Sequence, residues 1–63
     1  MHRFIDESAE IGKNVTLGNN VVIMARVQIG DDCNIGHNVI IHPDTKIGNA
    51  CRIDDGTIIG KKP

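Results

Sequence analysis

The sequence predicts an all-β chain whose very short strands wind into stacked coils, and three observations carry that prediction. An aliphatic residue fills every sixth position: Ile5, Ile11, Leu17, Ile23, Ile29, Ile35, Ile41, Ile47, Ile53 and Ile59. In a chain that is 40% hydrophobic, ten such places filled without a miss are no accident. Glycine follows the aliphatic at positions 12, 18, 30, 36, 48 and 60. Four places beyond each aliphatic stands a smaller residue: Ala9, Val15, Val21, Val27, Cys33, Val39, Thr45, Cys51, Thr57 and Pro63. The repeat is six residues long, and units too small to bury a face alone bury it by stacking.

Each part of the unit follows from that spacing. A helix needs apolar residues at a period of 3.6, and a long strand needs strict alternation; six is neither. The smaller residue and the next aliphatic lie two apart, as in Val21 and Ile23. That makes a three-residue strand with two side chains inward and one outward. The other three residues must turn a corner. Asn14, Asn20, Asp32, Asn38, Asp44 and Gly56 take the third corner place, and these are the types that best tolerate a left-handed backbone. Strands joined by repeated corners pair with the strands one coil above and below.

Composition narrows the function. Sixty-three residues make one small domain, residues 1–63, with the repeats over 5–60. Seven basic against eight acidic residues leave no field for nucleic acid or an anionic membrane. One Phe, with no Trp or Tyr, removes the stacking platforms of single-strand binders. No apolar run approaches the ~20 residues of a membrane span. The start, MHRFIDESAE, is too charged for a signal peptide, so the expected home is the cytoplasm. So small a core has little margin, and end coils leave strand edges unpaired, so partner subunits or more chain are expected.

The stretch IGDDCNIGHNVIIHPDTKIGNACRID resembles the hexapeptide-repeat acyltransferase family, and looks most like its sugar N-acetyltransferase branch. The resemblance covers residues 5–60 and implies a left-handed parallel β-helix of triangular section. Three repeats then form an 18-residue coil, giving coils at 5–22, 23–40 and 41–58. It also implies a homotrimer with sites between subunits and acetyl-CoA as acyl donor to an amino or hydroxyl group of a sugar or similar small metabolite. The family's later coils and C-terminal cap are absent from these residues, which therefore read as a fragment or minimal version of a longer acyltransferase.

An 18-residue coil sorts the outward residues into three columns. Glu10, Gln28, Lys46 and Thr16, Asn34, Arg52 are polar; Val22, Ile40, Ile58 is apolar. An apolar stripe on one face alone marks an interface, here widened by Met24, Ala25 and Pro43 on the bordering corner. His37 lies on the corner before Ile40 and His42 on the corner after it. In a threefold assembly His37 of one subunit would approach His42 of its neighbour. Asp55 lies one coil beyond His37 and Asn19 one coil before it, so a carboxylate is available to orient an imidazole. The expected roles are His37 as general base with Asp55 behind it, and Asn19 and His42 as substrate-binding residues. Corner histidines are often plain turn residues; what favours function is that both border one apolar face. His2 precedes the repeats and carries no such placement.

Two other readings remain open. His37 and His42 have the GH-x4-H spacing of γ-class carbonic anhydrases, which would make them zinc ligands, with the third near Met1 and His2. A non-catalytic trimerisation module would use the apolar stripe alone. Cys33 and Cys51, 18 apart, read as neighbouring buried thiols in one inward column, reduced because parallel side chains in register do not offer the disulfide torsion.

Overall fold

The computed structural model describes residues 3–60, so the expectations placed on Met1, His2 and Pro63 lie outside the described residues. Ten strands follow one another: β1 (Arg3–Ile5), β2 (Glu10–Ile11), β3 (Thr16–Leu17), β4 (Val21–Ile23), β5 (Gln28–Ile29), β6 (Asn34–Ile35), β7 (Ile40–Ile41), β8 (Lys46–Ile47), β9 (Arg52–Ile53) and β10 (Ile58–Ile59). They form three parallel sheets, ordered β1-β4-β7-β10, β2-β5-β8 and β3-β6-β9. Every pairing joins residues 18 apart, as in Val22 with Ile40 and Gln28 with Lys46. The coil length is therefore the expected one. Most strands are two residues rather than three, and β1 adds a fourth strand to the first sheet.

The inward columns make one core. Ile23, Ile35 and Ile41 are fully buried, with Ile29, Ile47 and Ile53 nearly so. Ile11, Leu17 and Ile59 are half-buried and pack against them. Ile5 departs from expectation: at the end of the stack, with no coil above it, it is 40% exposed. Cys33 is buried as expected, but Cys51 is only half-buried, again because it lies near an end; both thiols are free. The inward threonines are tolerated because their hydroxyls find acceptors on their own corners. Thr45 Oγ1 donates to the His42 carbonyl at 2.8 Å and Thr57 Oγ1 to that of Asp54 at 2.7 Å.

From residue 14 onward the third corner residue is left-handed, with φ between 56° and 76° at residues 14, 20, 26, 32, 38, 44, 50 and 56. Arg26 and Ala50 adopt it although neither is a favoured type, at about 1–2 kcal/mol each. The conformation has a return. It turns the residue's N–H to the preceding coil, where Ala50 meets the Asp31 carbonyl at 2.7 Å and Asn38 that of Asn19 at 2.8 Å. No helix is long and apolar enough to cross a membrane among the described residues.

Candidate functional site

The first sheet carries the apolar face. Its outward column is Phe4, Val22, Ile40 and Ile58, each in register with the next. Phe4 and Ile58 are 56% and 55% exposed, so the column offers apolar area at both ends of the stack. Phe4 extends the expected stripe by one coil. The signal was there, since 4 lies 18 before 22. The other columns, Glu10, Gln28, Lys46 and Thr16, Asn34, Arg52, are exposed and polar as expected.

Three corners separate the sheets. The first, after the apolar sheet, holds residues 6–8, 24–26 and 42–44; the second holds 12–14, 30–32 and 48–50; the third, leading back to the apolar sheet, holds 18–20, 36–38 and 54–56. Asn19, His37 and Asp55 share the middle place of the third corner and are joined by a ladder. The Asn19 backbone N–H donates to His37 Nδ1 at 2.7 Å, and the His37 backbone N–H donates to Asp55 Oδ1 at 2.7 Å. The Asp55 carboxylate thus holds the backbone of His37. The second corner repeats the arrangement with different side chains. Lys13 N–H donates to Asp31 Oδ1 at 2.8 Å, and Asp31 N–H to Asn49 Oδ1 at 2.7 Å.

These ladders explain the glycines. Each capping side chain reaches up into the space that a Cβ would fill on the coil above. A Cβ on Gly18 would stand 2.6 Å from His37 Nδ1, and Cβ atoms on Gly12, Gly30 and Gly36 would overlap Asp31, Asn49 and Asp55 in the same way. Glycine and its cap are always nineteen residues apart, a pairing that the sequence displays but that counting by six does not bring out.

The first corner has no such ladder, because its middle places hold Ala25 and Pro43. Met24 and His42 stand where the other corners have glycine at every coil but one, the exception being Asp54. A side-chain network replaces the caps. Asp6 Oδ2 accepts from Ser8 N–H at 2.9 Å and Ser8 Oγ at 2.5 Å, and Ser8 Oγ accepts in turn from Arg26 N–H at 2.9 Å. The Arg26 guanidinium meets Asp44 through Nε at 2.5 Å and Nη2 at 3.2 Å. The Ser8 bonds, with Arg26 adding charge, hold the Asp6 carboxyl below its ordinary value; the Asp44 carboxylate raises Arg26.

The two histidines therefore stand at opposite edges of the apolar sheet, His37 entering β7 and His42 leaving it. One chain does not bring them together. His37 is exposed; His42 is half-buried, its backbone tied through N–H to Ile59 O at 2.9 Å. For zinc the fit within one chain is poor. Among the described residues no three His, Cys, Asp or Glu side chains converge, and Nδ1 of His37 is already engaged. Residues 8–43 match the bacterial transferase hexapeptide (six repeats) family, and residues 26–61 match the hexapeptide repeat of succinyl-transferase. No curated protein and no solved structure matches the chain significantly. Stacked parallel coils and these repeats together define a left-handed parallel β-helix of about three turns.

Proposed function

The chain belongs to the bacterial transferase hexapeptide-repeat family, and from that premise we propose that it is the β-helical part of a cytoplasmic acyltransferase. The reaction moves an acyl group, acetyl from acetyl-CoA, to an amino or hydroxyl group of a sugar or similar metabolite. The stretch from Ile29 to Asp54, with its resemblance to sugar N-acetyltransferases, supports that acceptor class. Working form and site are one question, because the unit is a homotrimer meeting on the Phe4, Val22, Ile40, Ile58 face. Met24 lies at its border.

The observation that carries the proposal is a coincidence of position. Among the described residues, the only apolar outward column lies between the two edges that bear the histidines. Packing three such faces against one another buries side chains worth roughly 1.5–3 kcal/mol each. It also builds a cleft with walls from two subunits, His37 with Asn19 and Asp55 on one and His42 on the other. Such walled, mostly apolar clefts with a few polar groups are where small substrates bind.

Sedimentation of the wild type and of Ile40→Asp, each with and without acetyl-CoA, tests this. A wild-type trimer that binds acetyl-CoA, and an Ile40→Asp monomer that does not, are the expected results. A trimer that survives Ile40→Asp places the subunit contact elsewhere and removes the cleft.

A further inference from the structure

We infer that the lower end of the stack, where β10 finishes, binds the upper end of a second copy, so that chains join end to end with a third of a turn at each junction. This goes beyond the acyltransferase and does not need the trimer. The case begins with the strand count. The first sheet has four strands and the other two have three, so the path ends on β10 and its next place lies beneath β8. A copy that begins there, with its β1 under β8, sets its β2 under β9 and its β3 under β10. Every open strand edge at the junction is then paired, and no two described strands claim one place. Beginning under β9 would leave β8 uncovered, and beginning under β10 would leave both β8 and β9 uncovered.

In this register Ile5 of the lower copy stands 18 places beyond Ile47, so each of its residues takes its own number plus 60. The core columns continue, with Ile5 beneath Ile47, Ile11 beneath Ile53, Leu17 beneath Ile59 and Ala9 beneath Cys51. Ile5, Ile11 and Leu17 are aliphatics that one chain leaves partly exposed, and Cys51 is the thiol it leaves half-buried. The charges match as well. Glu10 falls beneath Arg52, which is 83% exposed and meets only Asp54 among the described residues, at 3.5 Å; Lys13 falls beneath Asp55. No two like charges stand over one another. Gly48 also gains its reason. It has no left-handed backbone and nothing within 4 Å of the place its Cβ would take, whereas Gly12 and Gly30 in its column make room for a cap nineteen residues on. Nineteen beyond Gly48 is the place of Glu7 of the lower copy, which brings a carboxylate under the Asn49 N–H. Such a contact joins unlike surfaces and does not close, so it propagates. At ~4.8 Å per coil, three and a third coils give a rise of ~16 Å per copy.

The test follows wild type and Ile40→Asp, the second lacking the trimer contact, by sedimentation from about 10 μM to about 1 mM, where a weak contact becomes populated. Each is measured whole and cut after Gly60, because this register gives residues 61–63 of one copy and 1–3 of the next the same stretch of path. Ile40→Asp should be monomeric at the bottom of the range and grow past a dimer toward the top, more readily in the cut chain. Arg52→Glu or Glu10→Arg alone should weaken that growth roughly 3- to 30-fold, and the two together should restore it. The Cys51 thiol should react more slowly with a maleimide as stacks form, while buried Cys33 stays silent. Electron micrographs should show the ~16 Å rise with a third of a turn per copy. Growth that stops at a dimer, a double charge reversal that restores nothing, or cut chains that stay apart at about 1 mM would overturn the junction and leave the trimer and its acyltransferase reading standing. Stacks of Ile40→Asp beside a wild type that forms no trimer would uphold the junction and remove the trimer alone.

Discussion

The corner that leads into the apolar face and the corner that leads out of it are built from the same six-residue unit, yet they are held together differently. On the way in, residues 18–20, 36–38 and 54–56 stack through side chains that cap backbone N–H groups of the coil above. Glycine sits over each cap, because the cap fills the space of a Cβ. On the way out, residues 6–8, 24–26 and 42–44 stack through the chain of Asp6, Ser8, Arg26 and Asp44. The difference teaches what the repeat's glycines are for. Gly12, Gly18, Gly30, Gly36 and Gly48 have no left-handed backbone; apart from Gly60, the left-handed residues are two places further on, and most are not glycine. Glycine there provides room for a neighbour, and freed of that duty the same place accepts Met24 or His42, side chains that border the interface.

The sharpest way to break this contrast is to fill the space. Gly36→Ala sets a methyl against Asp55, including its backbone N at 2.7 Å, so the cap must leave or the coils must part. Overpacking and a lost cap together should cost about 2–4 kcal/mol in urea denaturation. Gly48 is the control. It belongs to the same column as Gly12 and Gly30, but nothing lies within 4 Å of the place its Cβ would take. Gly48→Ala should be neutral or add up to about 1 kcal/mol by stiffening the unfolded chain. Equal losses at both sites would show that glycine is needed for its backbone after all.

The second comparison is between residues forced into the left-handed conformation and those suited to it. Ala50, at φ 56°, is exposed and keeps its N–H bond to Asp31 whatever its side chain; Gly56, at φ 76°, has open space around it. Ala50→Gly should therefore gain roughly 0.5–1 kcal/mol, the relief of left-handed strain less the greater freedom of glycine when unfolded. Gly56→Ala should lose a similar amount, at about 1 kcal/mol. Thermal melts of the two variants should move in opposite directions. A shared direction would mean that the corners relax around the substitution.

Much of this is legible in the letters. Ten aliphatics at a period of six give the coil, and a coil of eighteen residues sorts the polar columns from the apolar one. Phe4 is harder to place, because a repeat counted from Ile5 leaves the outward position before it unassigned. Arg26 and Ala50 are hidden for a different reason: the corner's hydrogen bond to the coil above sets their backbone, and their residue types do not advertise it. The cap made by His37 is the most consequential feature that the letters conceal. A histidine beside an apolar face suggests chemistry, whereas its structural duty shows only when Gly18 and His37 are read as a pair nineteen residues apart. The exposure of Ile5 follows from its place at an end, where the period of the sequence continues but the packing does not.

The smallest effect expected lies in the first corner and separates it from the other two by its response to acid. Asp6 is held below its ordinary pKa of 3.8, first by the Ser8 hydroxyl, then by the Ser8 N–H, with Arg26 adding charge. A carboxylate whose folded value is depressed contributes stability that is fully present above its unfolded value and is lost as the pH falls through the folded one. The Asp6 contribution is thus whole at pH 5 and above, and it fades below pH 3.8 as the carboxyl takes up its proton. Ser8→Ala removes the hydroxyl that sets the depression and also the acceptor for the Arg26 N–H. It should lower stability at neutral pH and flatten the loss between pH 5 and pH 3. Their hydrogen bonds lie at the exposed surface, so water and salt screen them and the change will be modest. Urea midpoints for wild type and Ser8→Ala at pH 7, 5 and 3 measure it. Parallel pH profiles for the two proteins would move the acid response to other carboxylates and leave the first corner held by Arg26 and Asp44 alone.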